Sequence, residues 1–419
     1  MDKTAIIGFG RAGHAAAVSM RDSGYAGEIH VFVSDENGPA NPMLTTYYAS
    51  GKMERRGMFP FGNLDDIANK LNLKVLKGVK VSGLDSDHKQ VFWNEQSERY
   101  DNLIIATGAK PIIPFEKNKA YNRIIAVRTI QDADQMVAAL NQTKKVLVVG
   151  ASMVGIKVIQ AMTERSIDVT LADLGTVVFP TAILPDADRI LEKRILEHGV
   201  CLRLGISVNA LEEEEQQVVV TFSDGEKDSF DAVFFCIGTR AEGSLAQNAG
   251  IAVDRGILVD ERMRTNKNGI YAVGDCCQTH EWSTNSERNI GLWANAAMQG
   301  SVAGKNIAGQ PAEYAGNLIC NITHFWNTDF VSVGNNKADG EVVSYHSLEG
   351  WSIHVLHKGG QPQCVNIIDN LKLSGVVKNY MLKKFRVADA QFDIQTRYYV
   401  QQFGLPEEII DALGGNQDD

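Results

Sequence analysis

One short pattern occurs twice in this chain of 419 residues, and each copy constrains the fold around it. The first runs Ala5-Ile6-Ile7-Gly8-Phe9-Gly10-Arg11-Ala12-Gly13 and continues into Ala15-Ala16-Ala17-Val18. The second runs Val146-Leu147-Val148-Val149-Gly150-Ala151-Ser152-Met153-Val154-Gly155. An apolar strand, a glycine turn and a helix open a βαβ unit. The first glycine permits the bend, the second lets a diphosphate approach the backbone, and the third lets helix and strand pack closely. Strands are therefore expected at 5–8 and 29–33 around a helix at 11–23. In the second copy they are expected at 146–149 and 169–172 around a helix at 153–163.

A turn of this kind usually carries an acid about 20 residues beyond its last glycine, where it accepts from a ribose hydroxyl. Asp35, with Glu36 beside it, fits after the first turn, and Asp173 fits after the second. A carboxylate at 173 repels a 2′-phosphate, and no arginine follows it immediately. NADH is thus expected over NADPH. The second copy has Ser152 where the middle glycine should be. The serine costs some backbone approach and offers its hydroxyl as a donor to the diphosphate.

Composition removes several alternatives. A formal charge of −10 argues against nucleic acid as a partner. No apolar run approaches the roughly 18 residues of a membrane span, and Met1-Asp2-Lys3 opens no signal peptide, so a cytoplasmic protein is expected. The six cysteines form no CxxC pair and no zinc spacing, so no metal is expected. The adjacent Cys276 and Cys277 read as structural.

Three further strand ends follow in order: Ala106-Thr107-Gly108, Cys236-Ile237-Gly238, and Thr265 through Ile270-Tyr271-Ala272-Val273-Gly274-Asp275. With the two glycine turns, these motifs resemble the two-dinucleotide flavoproteins, the pyridine nucleotide–disulfide oxidoreductases and their relatives, across residues 4–380. The resemblance implies an α/β architecture of two Rossmann-like dinucleotide-binding domains and an α+β C-terminal interface domain. An FAD-binding domain (1–112 and 240–310) is split around an NAD(H)-binding domain (113–239). The interface domain (311–384) and a helical extension (385–419) follow. FAD would then be held by Gly8, Gly10, Arg11, Ala12 and Gly13, with Asp35, Glu36, Asn41, Pro42, Val81, Ala106, Thr107, Gly108, Gly274, Asp275, Asn295 and Ala296 around it. Asp275 would bond the ribityl chain, and Val81 would line the adenine site. NADH would be held by Gly150, Ser152, Met153, Val154, Gly155, Asp173 and Gly238.

One departure narrows the chemistry. Disulfide reductases of that family place a redox cysteine in the segment that reads Gly38-Pro39-Ala40-Asn41-Pro42-Met43-Leu44-Thr45-Thr46-Tyr47-Tyr48 here. Met43 stands at the cysteine position, and a thioether cannot attack a disulfide. The stretch, with Leu292-Trp293-Ala294-Asn295-Ala296 and Gln299-Gly300, is more similar to rubredoxin and ferredoxin reductases and to FAD subunits of 2-oxoacid oxidoreductases. In those relatives a lysine faces the flavin where this chain has Thr46, and a glutamate follows the second turn where it has Lys157. Both positions are candidate catalytic residues, and the Lys157 ammonium is expected near the flavin–nicotinamide junction. The implied activity is an FAD-dependent NADH oxidoreductase passing electrons to an iron–sulfur or rubredoxin-type partner, alone or as the flavin subunit of a complex. Direct reduction of oxygen, a quinone, a nitro compound or an enone is the alternative. A third reading is a binding subunit that keeps FAD and has abandoned NADH. A homo-oligomer stays open.

Overall fold

The computed structural model describes residues 2–115, 122–141, 143–386 and 392–415. Both glycine turns close as their residues require. Gly8 has φ +97°, and a Cβ there would lie 2.3 Å from the Ala106 carbonyl oxygen. Gly150 has φ +110°, and its Cβ would lie 2.5 Å from the Cys236 carbonyl oxygen. A Cβ on Gly13 or Gly155 would come within 2.3 or 1.9 Å of the Gly8 or Gly150 carbonyl oxygen. A side chain at Gly13 or Gly155 would push helix and strand apart, and one at Gly8 or Gly150 would strike the end of the neighbouring strand.

Two parallel five-stranded sheets result. The first has the order Ile270–Ala272, Asn102–Ile105, Lys3–Ile7, Glu28–Phe32, Lys74–Leu76. The second has the order Ile124–Ala126, Ala232–Phe235, Lys145–Val149, Asp168–Asp173, Cys201–Leu204. The strand before each glycine turn is central, and the registers correspond. Ile7 lies opposite Phe32 and Ile105, and Val149 lies opposite Ala172 and Phe235. The second sheet falls, in sequence, between Asn102–Ile105 and Ile270–Ala272 of the first. The chain leaves and returns through the antiparallel pair Ala109–Pro111 and Thr239–Ala241, beside a Lys110–Glu242 ion pair. On the first sheet, helices Arg11–Asp22 and Trp293–Ile307 pack backbone to backbone. A Cβ on Gly300 would lie 2.2 Å from the Ala12 carbonyl oxygen, and one on Gly304 2.5 Å from that of Ala16.

A third, antiparallel sheet has the order Cys320–Phe325, Thr328–Gly334, Gln361–Ile368, Ser352–Lys358, Glu341–His346. Side chains alternate between its faces. Val331, Val333, Ile353, Val355, Val365 and Ile367 pack against Leu373, Val377 and Met381 of helix Leu371–Arg386 and against Ile409 and Ile410. The opposite face carries Phe330, Ser332, His354, Asn366 and Ile368, also buried. It packs on the unit built around the second parallel sheet. Phe179 stands 5.8 Å from Phe325 and 5.1 Å from Phe330, ring to ring.

Several elements differ from expectation. Helices Leu64–Leu71 and Ile130–Leu140 and strand Ile124–Ala126 were not anticipated. Helix Pro185–Glu197 begins at a proline, which presets its first turn. The extension expected to be helical carries helices Ile394–Gln401 and Glu407–Ala412. The frayed end expected at 416–419 lies outside the described residues. Among the described residues no helix is long and apolar enough to cross a membrane.

Candidate functional site

Both glycine turns open at the carboxyl edges of the parallel sheets, where doubly wound folds receive ligands. The outer glycines of the first turn are crowded. Gly10 is not: a Cβ there would meet nothing within 4 Å. Gly108 and Gly238, at φ +70° and +100°, are equally open. Arg11 and Ala12 begin the helix beside this space, and Arg11 packs against Phe61 and Trp293. An open middle glycine between two crowded ones is a cradle that a dinucleotide diphosphate fits.

In the second turn Ser152 behaves differently from expectation. Its Oγ accepts from the Gly155 amide at 3.2 Å and donates to the Cys236 carbonyl at 2.8 Å. The hydroxyl thus caps the helix and ties it to the neighbouring strand, so it is not offered to a diphosphate. Met153 and the exposed Val154 follow in the first turn of that helix.

Asp173 ends its strand with Oδ2 accepting from the Ala151 amide and Oδ1 from the Gly175 amide, both at 2.6 Å. The carboxylate braces the glycine turn and keeps lone pairs for a further donor. The register shows where its counterpart lies. The Gly8 amide bonds the Phe32 carbonyl as the Gly150 amide bonds that of Ala172. Val33 therefore matches Asp173. Asp35 sits two residues further on, its Oδ1 accepting from the Asn37 amide at 2.7 Å, and Glu36 is exposed. The half-buried Val81 follows Val79, whose amide bonds the Val33 carbonyl.

Asp275 lies past the strand Ile270–Ala272, behind Gly274 at φ +80°, and pairs with Arg128. Sequence reading missed Arg128. A signal existed: Thr129 and Asp132 form a capping box at the start of helix Ile130–Leu140, which fixes the residue before it. The direction of the arginine depends on Asp275, 147 positions away. Ala106 is buried beside Gly8, and the Thr107 hydroxyl donates to the Glu242 carbonyl at 2.6 Å. Asn295 is fully buried. Its Nδ2 donates to the Ile290 carbonyl, and its Oδ1 accepts from the Tyr314 hydroxyl and from Asn317. Its side chain is committed inside the protein. Ala296 is buried near Gly274.

Thr46 and Lys157 come together. They line one narrow cleft with Tyr47, Ser50, Lys52 and Gln160, between helices Thr45–Ala49 and Met153–Thr163. Lys157 Nζ donates to the His324 carbonyl at 2.6 Å and to Gln160 Oε1 at 2.9 Å, and it lies 4.5 Å from the Tyr47 ring centroid. Its direct partners are all neutral. Just ahead, Asn41 Oδ1 accepts from the Met43 amide and Pro42 starts a 3-10 turn, which leaves Met43 59 % exposed.

No thiol stands in that segment. Cys276 and Cys277 are buried and unbridged beneath Asp275. The Cys276 thiol donates to the Ile105 and Val273 carbonyls, and burial pushes it up to about 11. Among the described residues no cluster of side chains could hold a metal ion.

The sequence pattern of the pyridine nucleotide-disulphide oxidoreductases matches residues 2–300. The chain is 30 % identical over 318 residues to an NADH oxidase of Methanocaldococcus jannaschii, covering 74 % of this chain and 70 % of that protein. It is 25 % identical over 416 residues to the benzene 1,2-dioxygenase system ferredoxin–NAD(+) reductase subunit of Pseudomonas putida, covering 99 % and 98 %. Its fold matches the reductase in a crystal structure of a covalent putidaredoxin reductase–putidaredoxin complex with a TM-score of 0.86 at 24 % identity, covering 99 % of both chains. With more than half of its length matched by the family pattern, the chain belongs to the pyridine nucleotide-disulphide oxidoreductase family.

Proposed function

We propose that this protein is an FAD-dependent NADH oxidoreductase that passes electrons to an iron–sulfur or rubredoxin-type carrier, and that it works in the cytoplasm. The observation that carries the reading is the pairing of two equivalent nucleotide turns with a cleft that holds no thiol. The residue at the family's cysteine position is Met43, so electrons have no sulfur relay to pass through. When bound, the flavin supplies hydride acceptance and release of electrons one at a time.

The division of labour follows from the residues. The turn at Gly8, Gly10 and Gly13 takes the flavin dinucleotide, with Ala106 to Gly108, Gly274 and Asp275 along its length. Arg128 pairs with Asp275 and holds that carboxylate in place. The turn at Gly150 and Gly155 takes NADH, and Asp173 faces its ribose. The FAD-binding domain comprises 1–112 and 240–310, the NAD(H)-binding domain 113–239, the interface domain 311–384 and the extension 385–419. The boundaries near 112 and 240 are supported by the strand pair Ala109–Pro111 and Thr239–Ala241, where the chain crosses once each way. Lys157 and Tyr47 pack together in the cleft between helices Thr45–Ala49 and Met153–Thr163.

The similarity to an NADH oxidase favours a second reading, direct reduction of oxygen or another small molecule. Stopped-flow mixing with NADH, followed by transfer to purified rubredoxin, ferredoxin, oxygen or a quinone, separates the two. Fast bleaching of flavin absorbance by NADH and faster turnover with an iron–sulfur carrier or rubredoxin than with oxygen or quinone support the proposal. Failure of NADH to bleach the flavin, or turnover confined to oxygen and quinones, overturns it.

A further inference from the structure

Arg11 is anomalous. Every other arginine among the described residues that is not exposed makes at least one hydrogen bond through its guanidinium, from Arg21 to Arg397. Arg11 makes none there, and its Nε is buried without a partner. Its guanidinium carbon lies 4.9 Å from the centroid of the Phe61 ring and 5.8 Å from that of Trp293. Those two rings are parallel within 3°. His14, three positions along the same helix, stacks on Phe61 at 4.2 Å. It is 8 % exposed, and its Nδ1 is also buried without a partner. Burial alone acts on the arginine, pulling its pKa down, with no carboxylate near enough to oppose it.

A guanidinium drawn out of water needs a counter-charge, and stacking on rings offsets only part of that cost. No counter-charge comes from the described residues. Arg11 is the first residue of a 12-residue helix, directly after Gly10 and its open space. The first amides of such a helix have no intrahelical acceptor and favour an anion.

We propose that Arg11 supplies the counter-charge to the diphosphate of the flavin dinucleotide, with Phe61 and Trp293 holding its guanidinium plane in position. The proposal rests on the reading that FAD occupies the first turn. A planar fork fits phosphate oxygens in pairs, which a lysine ammonium does not. Phe61 and Trp293 come from elsewhere in the chain, so the arginine is oriented before the ligand arrives.

The test compares wild type, Arg11→Gln, Arg11→Lys, Phe61→Leu and Arg11→Gln/Phe61→Leu, each stripped of flavin and titrated with FAD, ADP and inorganic pyrophosphate. Arg11→Gln should weaken FAD and ADP binding by about ten- to a hundredfold, the range of a lost charge-assisted hydrogen bond, with a smaller gap at high salt. Arg11→Lys should fall between. Phe61→Leu should weaken FAD binding in the presence of Arg11 and not in its absence, because the ring acts through the arginine. The melting temperature of the flavin-free Arg11→Gln variant should equal or exceed that of wild type, since an unpaired cation has been removed. Unchanged FAD affinity in both Arg11 variants overturns the proposal, as does a flavin-free variant that melts lower while its affinity is intact. A wild-type protein that binds no FAD overturns the underlying reading instead.

Discussion

Asp173 and Lys157 each carry a charge whose effect a single substitution can measure. Both Asp173 oxygens already accept backbone amides, so the side chain cannot turn away from the second glycine turn. A 2′-phosphate brought there meets a fixed negative charge. We expect kcat/KM to favour NADH over NADPH, and Asp173→Ser to shrink that preference by at least tenfold, about 1.4 kcal/mol of differential repulsion. An unchanged ratio would sink the assignment. Lys157 is held by two neutral oxygens and an aromatic face, so no direct partner cancels its charge. A cation in that cleft favours the negatively charged form of a nearby flavin. Lys157→Glu should therefore lower the two-electron potential of the bound flavin and leave FAD content intact. A redox titration giving equal potentials for variant and parent removes the idea. Lys157→Arg should restore the potential if charge, rather than shape, is what acts.

The helix Pro185–Glu197 shows how an element can carry its own pH dependence. Asp188 sits in its first turn, 8 % exposed, with Oδ1 accepting from the Val178 amide. Burial first, and then the charge of Glu192, raise its pKa from 3.8 to about 6. A carboxyl raised in the folded state adds stability below its unfolded pKa, and that contribution is lost as pH rises through the folded value. The Asp188 contribution should thus be complete below pH 3.8 and gone above about 6. Asp188→Asn keeps an acceptor for Val178 and cannot ionise. It should raise stability at pH 8 by roughly 1–3 kcal/mol, with little change near pH 4. Chemical denaturation at the two pH values measures this, and a pH-independent difference would refute it. Asp186 and Asp188 follow Pro185 in the sequence. The sequence did not show that Val178 and its neighbours fold over Asp188 and take it out of water.

At the scale of the whole molecule, the unit around the second parallel sheet and the C-terminal sheet share one buried seam. Asn366 Oδ1 accepts from the Leu184 amide at 2.7 Å, and its Nδ2 donates to the Ala182 carbonyl at 3.0 Å. The Ser332 hydroxyl donates to the same carbonyl at 2.8 Å, and Asn336 donates to the Ile183 carbonyl at 3.0 Å. Arg194 pairs with Asp369 across the seam. Asn366→Ala leaves a buried amide unpaired, at a cost of about 1–3 kcal/mol. Because the seam joins both units, they should unfold together, and the variant should lower that shared transition. Calorimetry in which the two units melt separately, with only one moved by Asn366→Ala, would show that the seam does not couple them.

The sequence by itself determined the two parallel units. Their outer glycines, Gly8, Gly13, Gly150 and Gly155, answer to carbonyls of the turn itself or of the neighbouring strand that leave no room for a side chain, so the pattern had to show. The order of the strand-end motifs likewise carried the family, and the segment Gly38–Tyr48 showed that no thiol stands there. The tertiary structure alone decided which polar residues meet water. Alternation along strands such as Ser352–Lys358 tells which residues share a face, and His354 and Asn366 on the polar face look solvent-bound. They are buried because residues near 180 cover them, and nothing local encodes that cover. Arg128, Lys157 and Arg11 follow the same logic. The sequence marks Arg11 and Lys157 by their places after the two glycine turns and does not mark Arg128, and the partners of all three are brought in by the fold: the paired rings of Phe61 and Trp293, His324, and Asp275.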